Sequence, residues 1–143
     1  MYEVERTKVY DVAFAPINPR LIKMSEDFIN VLSAYGISSC ILKTSLHGDK
    51  LSGWDEIDTD NLALEEVDAL SYSKSTNFIK TTYRTISSYN NLDRDWKPNF
   101  KILVCFMDDY AEGQILTSIC KKLGVKTVYF QEGFQHRENQ YSF

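Results

Sequence analysis

The sequence predicts an α/β protein: a single Rossmann-like three-layer domain over residues 1–143, with about four parallel strands and helices on both faces. Three observations carry this expectation. A chain of 143 residues can bury roughly two-thirds of its unfolded surface in one core and has no room for two ordinary domains. The run Lys101-Ile102-Leu103-Val104-Cys105-Phe106-Met107 is apolar without polar alternation, the pattern of a strand covered on both faces. Finally, a strand–helix–strand form occurs twice, once in each half of the chain.

The first unit begins with the β-favouring run from Lys8 to Ala15. Pro16-Ile17-Asn18-Pro19 ends it, because proline cannot continue strand pairing, and Asn18-Pro19 supplies an N-cap followed by proline at the first helical position. Leu21, Met24, Phe28, Leu32 and Tyr35 then recur at helical spacing, and Gly36 is placed to end the helix in a left-handed conformation. Ile37 to Leu42 is the next strand. Residues 46–58 read as a loop with Gly48, Gly53 and a Trp54 that docks as a lid or anchor. From Thr59 to Tyr89 the pattern is helical, as two helices or one kinked at Ser71-Tyr72-Ser73. Leu64, Val67 and Leu70 form one stripe; Phe78, Thr82 or Tyr83, and Ile86 form another.

In the second unit the strand at 101–107 ends at Asp108-Asp109, and Asp109 with Glu112 has the spacing of a capping box. Ala111, Ile115, Ile119 and Leu123 make the buried stripe, Lys121-Lys122 complement the helix C-terminus, and Gly124 ends it. Val125 to Phe130 is the last strand. The segments near 9–15, 37–42, 101–107 and 125–130 should therefore lie parallel in one sheet, with helices near 20–35 and 111–123 joined by right-handed crossovers.

Composition excludes several functions. Sixteen basic against twenty acidic residues give a net charge of −4, so the basic face that nucleic-acid binding needs is not expected. The opening Met1 to Lys8 carries no apolar core of a secretory leader, and the longest uncharged run, Phe28 to Leu42, is too polar to span a membrane. Cys40, Cys105 and Cys120 are odd in number and lack metal-ligand spacing. They read as small buried hydrophobes in a reducing, cytoplasmic compartment. Seven acids lie between Asp55 and Asp68 without a base, which fits a cation site or, more simply, a solvated helix start favoured by the macrodipole.

Ligands of open α/β sheets bind at the carboxyl ends of the strands, where strand order reverses. Those ends hold Pro16, Asn18 and Arg20; Ser45, His47 and Gly48; Asp108, Asp109 and Gly113; and Gln131, Glu132, Gly133, His136 and Arg137. The sequence has no Gly-rich dinucleotide fingerprint, P-loop, nucleophile elbow or zinc-protease motif. A phospho-receiver would need an acidic pair where Pro16 and Ile17 stand.

Lys97-Pro98-Asn99-Phe100-Lys101-Ile102-Leu103-Val104, then Asp108, a helix, Leu123-Gly124-Val125-Lys126-Thr127-Val128 and Gln131-Glu132-Gly133, resembles a passage of the GT-B glycosyltransferase and UDP-GlcNAc 2-epimerase superfamily. Phe14-Ala15-Pro16 to Gly36 is similar to the opening strand, loop and helix of its N-terminal domain. The resemblance implies the acceptor-side half of a longer two-domain enzyme in surface-polysaccharide synthesis. The nucleotide-sugar would be held chiefly by a C-terminal domain, and the isolated chain would be inactive. It implies catalytic roles for Asp108, Glu132 and His136, and contacts to a sugar or glycan acceptor from Asn18, Arg20, His47, Gly133 and Arg137. No metal or cofactor is expected, and the full-length protein would have room for peripheral membrane association. Asn99 stands where the family usually has Asp, and Gly133 falls one place before the family's glycine.

Each site residue also has a plain structural reading. Capping alone accounts for Asp109, a strand-exit turn for Glu132, and exposed loops for His47 and His136. The alternative function is accordingly a non-catalytic Rossmann-like binding or interaction module. A third reading takes Asp108-Asp109 as the metal-binding acids of a GT-A transferase, but they lie late in the chain for that fold.

Overall fold

Helix α1 (Pro19–Ala34) starts where capping chemistry places it. Asn18 is extended at φ −152°, its Oδ1 accepts a hydrogen bond from the Leu21 amide at 2.9 Å, and Pro19 occupies the first turn. The helix ends at Gly36, whose φ is +73°. There the Gly36 amide donates to the Ser33 carbonyl and the Ile37 amide to the Leu32 carbonyl, each at 3.0 Å, the paired bonds of a Schellman cap. The structure is a computed structural model and describes residues 8–16, 18–44, 63–67, 78–106 and 111–130.

Among the described residues, the strands are β1 (Tyr10–Ala15), β2 (Ser39–Thr44), β3 (Leu64–Val67), β4 (Phe100–Cys105) and β5 (Lys126–Tyr129). They form one sheet in the order β3-β2-β1-β4-β5, and every neighbouring pair is parallel. Helices α2 (Phe78–Asp95) and α3 (Ala111–Lys122) complete the described elements. The chain moves from β1 to β2 in one direction across the sheet and from β4 to β5 in the other. Right-handed crossovers then require α1 and α3 on opposite faces. The core clusters agree. Val12 and Phe14 of β1 pack with Leu21, Phe106, Met24 and Phe28 on the α1 side. Ala13, Leu103 and Cys105 pack with Leu92 of α2 and Ile115, Leu116 and Ile119 of α3 on the other.

The register of β1 is pinned near its start. The Asp11 and Val12 amides both donate to the Ser38 carbonyl, at 3.0 and 3.1 Å. One Asp11 carboxylate oxygen accepts from the Ser38 amide at 3.0 Å and from its hydroxyl at 2.8 Å, while the other accepts from Lys101 Nζ at 2.6 Å. These bonds, the Lys101 bond first, hold the Asp11 carboxyl down at about 2.

The middle of the chain differs from the sequence expectation. Leu64 and Val67 were expected on one helical stripe; they belong to β3, a fifth strand paired to β2 in register Ile41↔Leu64 through Thr44↔Val67. A spacing of three places two residues on one side of a helix but on opposite faces of a strand. Leu64 packs with Ile22 and Ile41 on the α1 side, and Val67 joins the cluster on the other. The two-faced apolar strand β2, with Cys40, Ile41 and Leu42 buried, needs an outer partner, and that need overrides the local pattern. Glu65 and Glu66 of the acidic run therefore sit in a strand rather than at a helix start.

Helix α2 is turned differently from the expected stripe. Among its described side chains Ser88 and Leu92 are buried and Tyr89 is half-buried, whereas Thr82, Tyr83 and Ile86 are exposed. Leu92 and Tyr89 dock in the cluster that holds Trp96 and Phe100, which sets the rotation of the helix. Tyr35 and Leu123 fall just beyond their helices at the caps and are exposed rather than part of the buried stripes. The Trp54 anchor, the break at Ser71-Tyr72-Ser73 and the Asp109–Glu112 capping box involve positions outside the described residues or side chains.

Candidate functional site

The strand order reverses between β1 and β4, so the connections leaving their carboxyl ends diverge to opposite sides. In a parallel sheet this is where a crevice forms and ligands bind. On the β1 side, Pro16 is buried directly after Ala15, and Asn18 and Arg20 lie at the start of α1. The Asn18 side-chain Oδ1 is committed to the Leu21 amide, which leaves the side-chain Nδ2 as the group to present to a ligand. Arg20 is exposed in the first turn.

On the β4 side the chain passes from Cys105 to Phe106, which is fully buried. The Phe130 amide donates to the Cys105 carbonyl at 2.8 Å and ties the exit of β5 to that of β4. Cys105 Sγ lies 3.6 Å from Thr117 Oγ1 of α3, and Gly113 is buried in the first turn of that helix.

Four phenylalanine rings form the floor of this edge on the α1 side. Phe14 stacks on Phe28 at 6.0 Å and on Phe106 at 6.3 Å, and Phe130 meets Phe28 edge-on at 5.4 Å and Phe106 at 6.0 Å. Such ring pairs contribute about 0.5–1.5 kcal/mol each beyond their buried area. They join the carboxyl ends of β1, β4 and β5 to α1. Sequence reasoning missed this cluster. Its signal was a phenylalanine at or just past the end of three apolar strand runs: Phe14, Phe106 and Phe130.

Of the sequence-predicted site residues, the structure places Asn18 and Arg20 at the α1 start, just past the carboxyl end of β1. Asp108, Glu132, His136, His47, Gly133 and Arg137 lie outside the described residues.

Several titratable groups away from this edge have structural roles. Asp11 and Lys101 sit at the opposite, amino-terminal end of the sheet, where their ion pair joins β1 to β4. Burial, reinforced by the nearby Glu65 carboxylate, pushes the Cys40 thiol up to about 12. Burial also pushes Cys120 up to about 12. Both stay protonated at neutral pH and are poor nucleophiles. Lys122 Nζ contacts both Asp93 carboxylate oxygens, at 2.8 and 2.6 Å, and joins the ends of α2 and α3. Among the described residues no group of three His, Cys, Asp or Glu side chains gathers to hold a metal ion. No described helix is long and apolar enough to cross a membrane.

A concavity of about 300 Å³ lies away from this edge, between α2 and α3, and is lined by Thr85, Ile86, Tyr89, Gln114, Ile115 and Ser118. It is an open, mainly apolar groove without a charged group. Comparison with known proteins finds no matching family model, no matching curated protein and no matching solved structure. The likeness to GT-B enzymes thus rests on the sequence passages alone, and what the structure shows is an open, all-parallel α/β sheet whose strand order reverses between β1 and β4.

Proposed function

We propose that this chain is the acceptor-side, N-terminal domain of a GT-B-like glycosyltransferase that uses a nucleotide-sugar donor, in surface-polysaccharide synthesis. The observation that carries the reading is the all-parallel order β3-β2-β1-β4-β5, with its reversal between β1 and β4. A domain of this form presents loop residues to a substrate at one edge. The passage from Lys97 to Gly133 adds the sugar chemistry by resemblance.

In such a transfer an acceptor hydroxyl oxygen bonds to the anomeric carbon of the donor as the bond from that carbon to the nucleoside diphosphate breaks. The hydroxyl proton passes to a base, and the diphosphate leaves with the electron pair. Glu132, Asp108 and His136 are the candidates for that base; Asn18, Arg20, His47, Gly133 and Arg137 are the candidates for holding the acceptor. The diphosphate is assigned to a second domain of a longer protein, and the compartment to the cytoplasm.

In the enzyme that carries both domains, Glu132→Gln and Asp108→Asn should leave the melting temperature nearly unchanged. Transfer should fall by about 10²-fold, the scale of a lost positioned acid or base. Unchanged turnover in both variants would remove the site assignment and leave the fold intact.

One observation favours the alternative of a non-catalytic interaction module. Ile79, Tyr83 and Ile86 are exposed along one side of α2, next to the apolar groove. Tyr83→Glu separates the readings: it should abolish partner binding by such a module and leave sugar transfer untouched.

A further inference from the structure

We draw no further inference here: the strongest candidate, the apolar face of β4 and β5 beside α1 where Val128, Phe130, Val31 and Tyr35 are exposed, carries nothing because nothing in the structure shows what covers it.

Discussion

In the unit β1-α1-β2 both strands lie inside the sheet, whereas in β4-α3-β5 the second strand is the edge. The two units are otherwise built alike. Each helix ends on a glycine in the left-handed region, Gly36 at φ +73° and Gly124 at φ +77°. The bonds that close α1 recur in α3, where the Gly124 amide donates to Lys121 at 3.2 Å and the Val125 amide to Cys120 at 2.8 Å. Burial is where they part. Phe14 is 3% exposed and Ile41 is fully buried, while Val128 is 48% and Tyr129 41% exposed. Helix termination is thus a local property that repeats with the sequence signal. Strand burial is a property of place in the sheet, and similar apolar runs acquire it unequally.

The largest expected effect sharpens that contrast. Phe14→Ala removes a ring held between Phe28 and Phe106 and should cost about 3–5 kcal/mol in urea denaturation. Val128→Ala, in an equally apolar run, should change stability by only about 0.5 kcal/mol or less. Comparable losses at both positions would break the distinction between inner and edge strand.

The caps test the opposite half of the comparison, that termination is local and therefore equal in the two units. A Cβ at Gly36 or Gly124 meets no atom within 4 Å, so replacement by alanine acts only through the backbone. Gly36→Ala and Gly124→Ala should each cost about 1 kcal/mol, the penalty of a left-handed conformation for an L-residue. A difference well beyond that size between the two would mean that surroundings, and not the turn, set the cost. At the other end of α1, Asn18→Ala should cost about 1 kcal/mol by freeing the Leu21 amide, and Asn18→Asp should restore it.

The smallest effect lies in the link between the units, the Asp11–Lys101 pair. Its folded carboxyl is depressed from 3.8 to about 2, so the unfolded chain holds the proton more tightly. The resulting stability is present above pH 3.8 and is lost as pH falls toward 2. Both side chains reach solvent, so the gain is small. Carbon-detected NMR titration should find Asp11 ionised well below pH 3.8, and Lys101→Met should bring its midpoint back toward that value. An unchanged midpoint in Lys101→Met would remove the ion pair as the cause.

The outer units were legible because their signals are short-range and redundant: Asn18-Pro19, Gly36, Gly124 and the unbroken apolar run of β4 all point the same way. The segment between them was not. Leu64-Glu65-Glu66-Val67 has helical spacing and two glutamates, and becomes a strand only because β2 needs an outer neighbour some twenty residues away. The rotation of α2 was likewise hidden, because its apolar residues spread over about half of the helix, with Ile79, Tyr83 and Ile86 toward one side of that arc and Tyr89 and Leu92 toward the other. Tertiary contacts at Leu92 and Tyr89, rather than the stripe through Ile86, select the buried side. The position of Asn18 and Arg20 at the start of α1, just past the end of β1, was legible from the Asn18-Pro19 cap signal. The four-ring cluster was not, since it depends on which strand ends become neighbours.

The central claim is that ligand meets this domain at the β1–β4 edge and that the nucleotide-sugar is held elsewhere. Amide chemical-shift mapping of the isotope-labelled chain, titrated with a panel of oligosaccharides and with UDP- and GDP-sugars, tests both parts at once. The account predicts oligosaccharide-dependent shifts at Asn18, Arg20, Leu21, Cys105 and Phe106, with nucleotide-sugar affinity weaker than micromolar. Shifts confined to Thr85, Tyr89, Gln114 and Ser118 in the α2–α3 groove, or micromolar binding of a nucleotide-sugar, would contradict it.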